Sequence, residues 1–145
     1  MKRFLTALAI CATAAIGSAA YAANANAPVV VMPGHEHWGK PDMGASTAVL
    51  YGNPDAGGFY VVRLKTGANW KFPPHFHPGR ESVTVVSGTF YAGIGSKWDD
   101  KKLTAFPAGS FISLPPKMPH FAMTKEPAVI EIAGTDKFAD VMIKK

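Results

Sequence analysis

The chain has 145 residues, 48% of them hydrophobic and 17% charged, proportions that suit one folded domain and exclude a long disordered segment. Its 14 Gly and 12 Pro fit a fold that turns often and argue against a helical bundle. The formal net charge of +5 comes from scattered basic residues. Beyond the N-terminus only Lys101-Lys102 and Lys144-Lys145 are adjacent, so no nucleic-acid partner is expected.

Lys2 and Arg3 precede an apolar run from Phe4 to about Ile16, followed by Gly17, Ser18 and a small-residue stretch containing Ala20-Tyr21-Ala22. This is the pattern of a secretory signal peptide, residues 1–22, with cleavage after Ala22. The run is shorter than the roughly 20 residues that a membrane-spanning helix needs. Residues 23–145 are then the mature domain, expected to be periplasmic or secreted and free of the membrane. Cleavage removes Cys11, the single cysteine, so disulfides, zinc-thiolate sites and cysteine nucleophiles are excluded from the mature domain. The signal lacks paired arginines, so export as an unfolded chain and metal acquisition outside the cytoplasm are expected.

Strand signals then follow closely. Val29 to Met32 and Ala48 to Tyr51 are short apolar runs. Gly58 to Lys65 alternates, with Tyr60, Val62 and Leu64 on one face and Arg63 and Lys65 on the other, the mark of a half-buried strand. Further runs are Ser82 to Val86, Thr89 to Ile94, Ser110 to Leu114, Phe121 to Thr124, Val129 to Ala133 and Ala139 to Ile143, bounded by Gly, Pro, Asp or Lys. The segment 95–102 reads as a hairpin loop anchored by Trp98. No run has a helical period and no repeat or linker divides the chain, so one all-β sandwich, jelly roll or barrel is predicted. Trp70, Phe72, Phe76, Phe90, Phe111 and Phe121 are assigned to its core or lid.

The five histidines fall in three places: His35 and His37, His75 and His77, and His120. Residues two apart on a strand share a face, so His75 and His77 can send both imidazoles into one cavity while Phe76 points away. Glu81 keeps that parity if the Pro78-Gly79 turn does not shift it. Two imidazoles and a carboxylate converging in a dry pocket would be costly without a partner, and a divalent cation supplies one. The donor types suit Zn, Mn, Fe, Cu, Ni or Co. His120, following Pro115-Pro116-Lys117-Met118-Pro119, is the candidate fourth ligand. His35-Glu36-His37 is read as surface, since no further cluster supplies ligands beside it. Arg80, Tyr60, Tyr91 and Glu131 stay outside the predicted site.

Two segments together resemble the paired motifs of the cupin superfamily. The first runs from Gly67 through His75-Phe76-His77, Pro78-Gly79-Arg80 and Glu81 to Gly88. The second runs from Gly109 through Pro115-Pro116-Lys117 and Met118-Pro119 to His120. The match covers Gly67 to about Thr124. Gly67 lies two residues further from His75 than the commonest spacing, Lys117 replaces a usual Gly that would permit a positive φ, and Thr124 stands where Asn often closes the motif. The chain looks like small bacterial single-domain cupins, including relatives of the metal-binding cupin domains of anti-sigma factors.

The resemblance implies a cupin-type jelly-roll barrel, or double-stranded β-helix, holding one divalent transition metal with His75, His77, Glu81 and His120. It implies a small-molecule ligand or substrate and suggests a homodimer through strand exchange. A metal-dependent enzyme of the dioxygenase or isomerase type is favoured, with Glu81 as ligand or catalytic base. The competing reading is a non-catalytic binding or sensing domain. An exported cupin of this kind favours Zn, Mn or Cu over Fe(II).

Overall fold

A computed structural model describes residues 27–144. The expected signal peptide, residues 1–22, lies outside the described residues. The described residues form ten strands and one short 3-10 turn: β1 (Ala45–Tyr51), β2 (Tyr60–Thr66), β3 (Lys71–Phe76), β4 (Glu81–Ser87), β5 (Thr89–Ile94), β6 (Thr104–Pro107), β7 (Phe111–Leu114), β8 (His120–Met123), β9 (Ala128–Gly134) and β10 (Val141–Met142). No helix among the described residues is long and apolar enough to cross a membrane.

The strands make two antiparallel five-stranded sheets, ordered β1-β2-β9-β4-β7 and β10-β3-β8-β5-β6. From β2 onward the chain crosses from one sheet to the other at almost every connection, the β5–β6 hairpin being the exception. This winding is what makes the domain a double-stranded β-helix. The inner faces share one apolar core, including Tyr60, Val62, Val83, Val85, Phe90 and Ile130.

Most predicted strands are present within a residue or two, and alternation explains why. In β2, Tyr60 and Val62 are buried and Lys65 is exposed, and in β9 Ala128, Ile130 and Ile132 are buried. Two expectations fail, and one strand is new. Val29 to Met32 is not a strand: Pro33-Gly34 turns the chain, with the His35 N–H on Met32 O at 3.0 Å, and Val29, Val30 and Met32 are exposed. Phe111 is 64% exposed, because β7 is an edge strand whose alternate side chains face solvent. Strand β6 was not predicted; it forms by pairing with β5, from Thr89↔Pro107 to Ala92↔Thr104. The predicted loop is there, with Trp98 packed on Phe121 at a centroid distance of 4.9 Å and bonded to Asp100.

Strand β3 carries Pro73 and Pro74, which have no N–H to give a ladder. Its pairing with β8 accordingly shifts register between Phe72 and His75, the irregularity prolines require. Beyond the shift, His75 pairs directly with His120.

Candidate metal centre

His75 ends the inward face of β3, His77 follows just past that strand, and His120 opens β8. All three come from the same sheet and all are buried. Phe76 between them is half-buried on the opposite face, as parity requires. Glu81 reaches the same point differently from the expectation. Pro78-Gly79-Arg80 carries the chain across to the other sheet, where Glu81 is the first residue of β4. It is therefore buried facing the histidines across the core, and not beside them on one strand. A Cβ at Gly79 would stand 2.5 Å from the Asp136 Cβ, so this crossing needs glycine for close approach of the chain.

The ring nitrogens define the chemistry. His75 Nδ1 is 2.8 Å from Pro73 O, His77 Nδ1 is 3.0 Å from Ala139 O, and His120 Nδ1 is 2.9 Å from Met118 O. A carbonyl oxygen only accepts, so each Nδ1 is the donor and each neutral ring presents a bare Nε2. A ligand atom from each of the three histidines lies within 4.8 Å of the others. Glu81 Oε2 stands 3.3 Å from Nε2 of His77 and 3.3 Å from Nε2 of His120. Despite that proximity, His77 Nε2 is buried with no hydrogen-bond partner. Lone pairs facing lone pairs repel, and such groups need a cation between them. The three-histidine cluster can therefore hold a metal ion, with each imidazole oriented through its other nitrogen in the manner of metal-bound histidines.

Charge in the metal-free protein follows the same geometry. Burial, with His120 beside it, pushes His75 down to about 4. Burial also pulls on His77, but the Glu81 carboxylate prevails and raises it. Burial would raise Glu81, yet its contacts with His120 and His77 hold it down at about 2. The carboxylate thus stays ionised and His75 neutral through the physiological range, the states in which both donate to a metal.

The chain's C-terminal segment embraces His77. Phe138 stacks on its ring at 4.9 Å with an interplanar angle of 25°, and Asp140 Oδ1 lies 3.3 Å from its Nδ1. Strand β10 pairs with β3 through Val141↔Phe76 and Met142↔His75, and the Ile143 N–H bonds Pro74 O at 3.0 Å. The sequence reading missed Phe138 and Asp140. They precede β10 outside any strand, and no spacing ties residue 138 to residue 77.

Other residues singled out in the sequence lie elsewhere. His35 and His37 are exposed, and Glu36 between them binds Arg63 at 2.7 Å. Glu131 binds Arg63 at 3.0 Å on the same outer face. Arg80 is exposed and donates to Ser113. Tyr91 lies under the Lys125 amine, and Tyr60 is buried in the core with its hydroxyl pushed up to about 12 by burial. Lys117 does take the positive φ, 62°, and its N–H bonds His77 O at 2.8 Å. Thr124 is fully buried, donating to Gly67 O at 3.0 Å and so tying the two motifs together.

A cavity of about 290 Å³ opens from these four side chains into the barrel. No family model matches the sequence, and no curated protein matches it. Solved structures do match. An RmlC-like cupin from Shewanella frigidimarina superposes with a TM-score of 0.62 at 15% identity, over 76% of this chain and 92% of that one. The chain has the cupin fold. The polyketide cyclase RemF from Streptomyces resistomycificus is similar with a TM-score of 0.59 at 18% identity, over 70% and 72% of the two chains. A complex of SigE with the anti-sigma ChrR from Rhodobacter sphaeroides contains a chain similar with a TM-score of 0.52 at 22% identity, over 69% of this chain and 48% of that one. In this fold the histidines of both motifs come from one sheet and Glu81 from the other, and all four side chains line the cavity.

Proposed function

We propose that this cupin is an exported metalloprotein in which His75, His77, Glu81 and His120 hold one divalent transition-metal ion, and that it is an enzyme of the dioxygenase or isomerase type. The observation that carries the metal reading is the set of three imidazoles whose Nδ1 atoms are all engaged by backbone carbonyls, leaving three bare nitrogens, two of them 3.3 Å from one carboxylate oxygen. The cavity beside them favours an enzyme, because a purely structural ion is coordinatively closed by protein. A bound ion would supply Lewis acidity or dioxygen activation toward a small chelating compound.

The chain's own residues do the rest. The backbone carbonyls of Pro73, Ala139 and Met118 fix the rings, and the apolar walls keep bulk water from the donors. Glu81 Oε2, next to two imidazoles, either completes the donor set or steps back to take a proton from substrate. Export through the signal peptide and a homodimer by strand exchange belong to the same proposal.

The likeness to the SigE–ChrR complex favours a second reading, a binding or sensing domain without turnover. Elemental analysis of protein from its native compartment, alongside His75→Ala, tests the metal. A stoichiometric transition metal in the first and its loss in the second are expected; no metal in either sinks the proposal. Oxygen uptake or isomer formation across a panel of enols and phenols then separates enzyme from sensor.

A further inference from the structure

Outside the four-residue cluster the cavity is lined mostly by apolar side chains. Its wall on the β2-β9-β4-β7 side is built from Val62, Leu64, Val83, Ile112, Ile130 and Ile132, none of which carries a side-chain donor or acceptor. The facing wall adds Phe72, Phe90, Ala92 and Ala122. Trp70 also lines it, but its indole N–H is spent on Met43 O at 2.9 Å. The remaining polar side chains of the lining are Lys40, Asp42, Thr47 and Asp140, one cation against two carboxylates and a hydroxyl, all at exposed positions. Among the described residues Lys40 is the one cation of this lining, and its exposed position leaves no buried cation for a second anionic group.

A buried hydroxyl without a partner costs about 1 to 3 kcal/mol, so a ligand whose oxygens are spread along its body is poorly served here. A ligand whose oxygens all sit at one end is well served. Size narrows the class further. An apolar cavity of about 150 Å³ holds benzene, so about 290 Å³ takes one ring with short substituents.

Resting on the metal reading above, we infer that the chamber selects a single-ring ligand with adjacent oxygen donors at one end, of the catechol or enolone class, and rejects polyhydroxy acids. The ring lies among the aliphatic side chains and the paired oxygens meet the His75–His77–Glu81–His120 end. Adjacent oxygens are required because that end is where the chamber can satisfy them.

Calorimetric titration of the zinc-loaded and metal-free protein with catechol, phenol and gluconate tests this. Zinc is used because it does not oxidise catechol. Catechol is expected to bind the zinc form about 100-fold more tightly than gluconate, from two or more unpaired hydroxyls at roughly tenfold each. Phenol is expected to bind both forms, since its ring needs only the chamber. Leu64→Phe and Ile112→Phe, both at half-buried positions, fill the chamber and should each weaken catechol and phenol tenfold or more with zinc content unchanged. Gluconate binding as tightly as catechol, or undiminished phenol binding in both filled variants, overturns the inference. Failure of the metal reading looks different: zinc is not retained, while phenol still binds and still responds to the filled variants.

Discussion

Lys117 sits at φ 62°, where an L side chain crowds its own backbone, and Lys117→Gly should make the protein more stable. The strain of a left-handed non-Gly residue is about 1 to 2 kcal/mol. Glycine gives back roughly 0.5 to 1 kcal/mol through the greater freedom of the unfolded chain. The Lys117 side chain is exposed and has no ion pair among the described residues, so its removal contributes little. The net expectation is a gain of about 0.5 to 1 kcal/mol, seen as a melting temperature higher by a few degrees, on the order of 3 °C. Urea denaturation of Lys117→Gly and Lys117→Ala, both metal-free, gives the comparison. The alanine variant keeps the strain and should stay within about 0.5 kcal/mol of the parent. Because the Lys117 N–H holds His77 O, metal retention should be unchanged in both. A glycine variant no more stable than the alanine variant would refute the claim that this turn stores strain.

Phe138→Ala removes the ring stacked on His77. It should cost about 2 kcal/mol, below the range for a fully buried Phe because the site is half-buried, and should weaken metal binding about tenfold in a chelator competition although every ligand remains. Asp140→Asn should weaken metal binding less than Phe138→Ala does, since Ala139 O still accepts from His77 Nδ1; an equal or larger loss in the same competition would put the orienting role on the carboxylate. For pH, His75 is depressed to about 4 from 6.5, so its neutral form supports stability that is complete above pH 6.5 and is lost as pH falls toward 4. That loss is about 3 kcal/mol at roughly 1.4 kcal/mol per unit. His77, raised, acts in the opposite sense: its contribution is present below pH 6.5 and is lost as pH rises through its folded value. Denaturation of metal-free parent and His75→Gln between pH 7 and 4 should therefore show the parent losing ground to the variant as pH falls, and parallel curves would contradict the assigned burial effect.

Local chemistry determined much of this protein in advance. Period-2 alternation identified β2 and β9, proline and glycine punctuation separated the strands, and the residues from Gly67 to Thr124 carried the likeness to cupins. Parity alone placed His75 and His77 on one face, because that relation spans two residues and depends on nothing distant. Relations between distant segments were decided only in the folded barrel. Glu81 faces the histidines from the other sheet because the chain crosses between sheets at Pro78-Gly79-Arg80, and no parity rule survives a crossing. The register shift at Pro73-Pro74 turns Pro73 O onto His75, and Ala139 O reaches His77 from 62 residues away. These carbonyls select the tautomer of each ring, so what the sequence offered as three histidines and a glutamate became a site only when the backbone assigned their protons.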